Sequence, residues 1–116
     1  SLDVDGNGSY DALTDGIMVI RYLFNPGQSS SALTSSALGS NPTRTAEEIK
    51  TYLASSASIL DVDGNGSSDA LTDGIMAIRY LFNPGQSESA LTSSALGSSP
   101  GRTNTEIKSY LQSISQ

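Results

Sequence analysis

The sequence contains no cysteine, no histidine and no tryptophan. Without cysteine or histidine there is no thiolate or imidazole zinc site, no disulfide framework, and no Cys nucleophile or Ser-His-Asp triad. Charge is scarce as well: charged residues make up 16% of the chain, against about 25% in a typical soluble protein. No apolar run approaches the ~20 residues of a membrane-spanning helix, so membrane insertion is not expected. The formal net charge of −6 argues against nucleic acid and anionic membranes as partners. In place of these residues stand 22 serines and 11 glycines. The 116 residues amount to one ordinary domain or two very small ones.

An internal repeat decides between the two. Residues 2–58 match residues 60–116 at 45 of 57 positions without a gap. The sequence therefore predicts two tandem units, 1–58 and 59–116, each small enough to need a metal or a neighbouring unit for stability. The chain is read as a piece of a longer polypeptide, in which neighbouring repeats are one class of partner.

The acidic residues are unevenly placed. All eight aspartates fall in two short segments, as Asp3, Asp5, Asp11 and Asp15, then Asp61, Asp63, Asp69 and Asp73. Four converging carboxylates repel one another unless a cation offsets them. In Asp3-Val4-Asp5-Gly6-Asn7-Gly8-Ser9-Tyr10-Asp11, oxygen side chains at positions 1, 3 and 5 and a glycine at 6 follow the first half of an EF-hand calcium loop. Alternate side chains in such a loop point to one centre, and Gly8 permits the sharp turn. The candidate ligands are Asp3, Asp5, Asn7, the Ser9 carbonyl, Asp11 and Asp15. In the second unit they are Asp61, Asp63, Asn65, Ser67, Asp69 and Asp73. An all-oxygen donor set selects a hard cation, and many flexible oxygens suit Ca²⁺ better than Mg²⁺. One calcium per unit, two in total, is the expectation.

A helix follows each loop. Leu13, Ile17, Ile20 and Phe24 recur at helical spacing, Met18/Tyr22 and Val19/Leu23 add apolar pairs, and Asn25-Pro26-Gly27 stops the run. A helix apolar nearly all round should be covered on more than one side, with Met18 and Tyr22 in the core. Residues 31–39 read as a short helix stopped by Gly39. A last helix opens with Thr45 and Glu48 as a capping box, repeated by Thr103 and Glu106, and buries Ile49, Tyr52 and Leu53. The expected fold is all-α: two tandem small helical units, each a calcium loop, a long helix, a short helix and a C-terminal helix.

The run Asp-Val-Asp-Gly-Asn-Gly, leading into a helix with Arg21-Tyr22-Leu23, resembles the calcium-loop-plus-helix hand of bacterial dockerin modules, which close their loop with Asp rather than Glu. The resemblance covers about 22 residues of each unit and implies that Asp15 and Asp73 are the closing acids. Counted from Asp3, Asp15 is position 13, one residue beyond the dockerin and EF-hand pattern, and Thr14 stands at 12. Dockerins carry two calcium loops in a module of similar size, whereas residues 25–38 hold no acid, leaving one loop per unit. Position 8, through which EF loops pair, is Tyr10 in one unit and Ser68 in the other, so direct loop pairing is expected to be weak. The spacing also resembles thrombospondin type 3 repeats, which rely on cysteine.

These readings imply a calcium-stabilised structural or spacer repeat of a large secreted or cell-surface bacterial protein. Millimolar calcium outside cells suits a site of modest affinity. The alternative is a dockerin-like attachment module that binds a cohesin-like or other surface partner in the presence of calcium. A calcium sensor is disfavoured by the single Met per unit. No enzyme and no small-molecule substrate is expected, because the acids are committed to the loops and no nucleophile–base constellation remains. The sequons at Asn7 and Asn65 fall on expected metal ligands and are read as chance.

Overall fold

The computed structural model describes residues 1–115. Each unit opens with an irregular loop, because glycines and short oxygen side chains favour turns over ladders. The loop passes into a π-helical turn, Ala12–Gly16, continuous with α1 (Ile17–Phe24). Next come α2 (Ser30–Thr34) and α3 (Ala46–Ser55). The second unit repeats the order with a π-helical turn, Ala70–Gly74, then α4 (Ile75–Phe82), α5 (Glu88–Thr92) and α6 (Asn104–Ile114). The described residues are all-helical, with no strand.

Local chemistry sets the boundaries. The Ser29 and Ser87 hydroxyls cap α2 and α5, and the Thr45/Glu48 and Thr103/Glu106 capping boxes are both closed. Hydrogen bonds within the second box hold the Glu106 carboxyl below the usual range. The helix read over residues 31–39 is shorter than the sequence suggests, ending at Thr34, and Ser36 takes a left-handed turn. Arg21 bridges that turn by donating from Nη1 to the carbonyls of Leu33 (3.1 Å) and Ser35 (2.7 Å). Gln28 Nε2 donates to Arg21 O (2.6 Å), satisfying a carbonyl at the end of α1.

The buried face of α1 is Met18, Val19 and Tyr22, while Leu13 and Phe24 are 66% and 62% exposed. The Leu13–Ile17–Ile20–Phe24 stripe is thus not the core face. The wide turn before α1 changes the register between Leu13 and the helix, and the sequence, apolar all round, names no single face.

One hydrophobic core runs through both units, joining Leu2, Met18, Leu33, Ile49 and Leu53 to their counterparts Leu60, Met76, Leu91, Ile107 and Leu111. The units meet crosswise. The first π turn lies on α4 and the second lies on α1, with Gly16 against Ile78 and Gly74 against Ile20. The radius of gyration of 13.2 Å is that of one domain of this length, about 13 Å.

Candidate metal centre

The extra residue in the loop explains the π turn. Gly16 N donates to Asp11 O (3.1 Å) and Gly74 N to Asp69 O (3.0 Å), each spanning five residues. A π turn holds one more residue than an α turn, and such turns are frequent at functional sites. It turns the position-13 aspartate back over the loop. Asp15 Oδ1 accepts from Val4 N (2.7 Å) and Asp5 N (3.3 Å), and Oδ2 accepts from Asp11 N (3.0 Å). Asp73 does the same with Val62, Asp63 and Asp69 at 2.6, 3.2 and 2.8 Å.

Two carboxylate triads result: Asp3, Asp5 and Asp15, and Asp61, Asp63 and Asp73. In each, one oxygen per residue lies within 4.8 Å of the others. One ion can therefore reach all three, since oxygens on opposite sides of a calcium ion at about 2.3–2.6 Å stand roughly that far apart. Asp5, Asp15 and Asp63 are 0% exposed and Asp73 is 1% exposed. Two buried carboxylates side by side are expensive without a cation. Burial pushes the Asp15 carboxyl up to about 6 and the Asp5 charge adds to the rise, against the backbone hydrogen bonds that lower it. Asp73 is raised by burial in the same way.

Asn7 and Asn65 stand beside the triads, and Asp11 and Asp69 stand outside them. Asn7 links the loop to the rest of its unit: Nδ2 donates to Ser40 O (3.0 Å) and Oδ1 accepts from Ser9 N (2.9 Å). Asn65 Oδ1 accepts from Ser67 N (2.9 Å). Asp11 and Asp69 are exposed and outside the triads, contributing their backbone N–H groups to Asp15 and Asp73. Gly8 and Gly66, at φ +90° and +92°, make the expected turn in open space, so the requirement there is conformational.

Three supports were not evident from the sequence. Gly39, read as a helix stop, donates its N–H to Asp5 Oδ2 (2.7 Å). A Cβ at Gly39 would come within 2.5 Å of Asn7 Nδ2 and 2.9 Å of Asp5 Oδ2, and Gly97 stands equally close to Asn65 and Asp63. Arg44 Nη1 donates to the carbonyls of Asp3 (2.7 Å) and Val4 (3.0 Å), while its guanidinium lies 3.9 Å above the Tyr52 ring. Arg102 repeats this with Asp61, Val62 and Tyr110. Lastly, Thr43 N and Arg44 N both donate to Asp5 O (2.9 and 3.2 Å). The only hint in the sequence was that Gly39, Arg44 and Tyr52 recur at the repeat offset.

Compared with known protein families, curated proteins and solved structures, the chain matches none. The residues present therefore carry the chemistry. They form two buried acid triads, all oxygen and pre-shaped by backbone amides, each able to hold a metal ion.

Proposed function

We propose that each triad binds one calcium ion and that the chain is a calcium-stabilised structural repeat of a secreted or cell-surface bacterial protein. The observation that carries the reading is the burial of Asp5 beside Asp15, and of Asp63 beside Asp73, in oxygen-only clusters. A hard divalent ion offsets that repulsion, and calcium accepts a carboxylate, amide and carbonyl set with irregular geometry. Asn7 and the Ser9 carbonyl complete the proposed shell around Asp3, Asp5 and Asp15, with Asp11, outside the triad, acting through a bound water. Asn65, Ser67 and Asp69 take the same parts in the second unit. The resemblance to dockerin hands supports the same ion. Because a loop and its helices are tied together at the site, binding adds directly to folding free energy.

Circular dichroism during calcium titration tests this. The expected result is partial helicity in chelator, rising to a plateau with calcium and less with magnesium. Full helicity in chelator, unchanged by calcium, contradicts it.

The exposed apolar residues at the seam between the units also suit a protein partner, as an attachment module requires. Leu13 of the first unit and Phe82 of the second line one shallow groove with Asp11, Ala12, Thr14 and Leu81. Leu71 and Phe24, their repeat counterparts, are equally exposed. A calcium-dependent protein partner lost in both Leu13→Asp and Leu71→Asp would favour attachment over a purely structural role.

A further inference from the structure

The crosswise core has a self-complementary form. Gly16 and Ile20 of the first unit meet Ile78 and Gly74 of the second, so the same residue pair is used twice with the units exchanged. The junctions also match. Leu60 N donates to Ser56 O (3.1 Å) where the first unit runs into the second, and Leu2 N donates to Ile114 O (2.9 Å) between the unlinked ends. Each is the other displaced by the 58-residue repeat, one made along the chain and one across a gap. The covalent connection is therefore not needed to align the units. It is a short turn of residues 56–60, held by bonds from Ile59 N to Ser56 O (2.9 Å) and Leu60 N to Ala57 O (3.2 Å), with Ser58 and Ile59 exposed.

We propose that the face each unit offers the other is a repeat-recognition surface whose partner is a second copy of this chain, engaged by exchanging units. An isologous surface on near-identical halves accepts the same half from another chain with the same contacts, and exchange through a hinge is a low-cost route to a dimer. Opening the turn sacrifices its few backbone bonds, while the core re-forms between copies. The contacts of Gly16 with Ile78 are then made between two molecules. Nothing in this depends on which ion fills the acid triads.

The absence of native cysteine gives a clean test. A Cβ on Gly16 would lie 3.5 Å from Ile78 Cβ and 2.9 Å from its Cγ1, and a disulfide needs Cβ atoms about 3.5–4.5 Å apart. A full chain carrying Gly16→Cys and a full chain carrying Ile78→Cys are unfolded together, refolded at high concentration and oxidised. The expected product is a disulfide-linked mixed dimer in excess of either self-dimer. It should be absent when the two chains are folded separately and then mixed. In parallel, light scattering on the unsubstituted chain, refolded at rising concentration, should show a second species of doubled mass. A monomeric mass at every concentration overturns the proposal. So does a mixed dimer no more abundant than the self-dimers.

Discussion

At the residue scale, the decisive feature is a carboxylate that folding buries beside another. Asp15 accepts three backbone N–H groups while sitting against Asp5. With metal removed, its folded-state value of about 6 lies above its ordinary 3.8. The folded state then binds more protons than the unfolded state between those values, so stability falls as pH rises through that window. In chelator, the melting temperature should rise as pH is lowered from 7 toward about 5. With calcium the trend should reverse, because protonation competes with the ion. A chelated protein that loses stability steadily on acidification over that interval would contradict the assignment. Gly39→Ala offers a second check. Its Cβ would strike Asn7 and Asp5, and we expect a loss of roughly 1–3 kcal/mol with weaker calcium binding at the first loop. In urea unfolding Gly39→Ala should lower the midpoint, while Gly27→Ala, whose Cβ meets only Asn25 Oδ1 at 3.6 Å, should be near neutral. The clustering of Asp3, Asp5 and Asp15 was legible in the sequence because loop spacing is local, whereas Asp11, expected with them, lies outside the triad. Gly39 and Arg44 were not legible, since they act on residues 34 and 41 positions away.

At the element scale, the two π turns reconcile a loop one residue too long with a carboxylate that still closes it. The count from Asp3 to Asp15 exposed the extra residue, but only backbone geometry shows where it is stored. The capping boxes were fully legible, because Thr and Glu three residues apart carry their own hydrogen-bond pattern. Thr45→Ala should cost about 1 kcal/mol in urea unfolding and leave the calcium stoichiometry unchanged. An unaltered midpoint would show that the cap adds nothing to the folded state. The face of α1 was not legible. The exposed Phe24, and Leu13 on the turn before it, are as apolar as the buried Met18 and Val19, and the selection between them is made by packing on α2 and α3 together with the other unit.

At the scale of the whole molecule, the repeat was evident from sequence, but its closure into one core was not. Identity between units says nothing of whether they lie apart or interleave. The interleaving follows from Gly16 and Gly74, small enough to let each π turn approach the opposite helix. Unfolding should accordingly be a single cooperative transition, with Met18→Ala lowering stability by about 2–5 kcal/mol for both units together. Two separated calorimetric transitions would contradict a shared core. A hard ion at each acid triad is what lets these carboxylates stay buried, and crystals grown with excess calcium can test it through anomalous differences. Two strong peaks are predicted, one among Asp3, Asp5 and Asp15 and one among Asp61, Asp63 and Asp73. Density no stronger than water at both positions would contradict it.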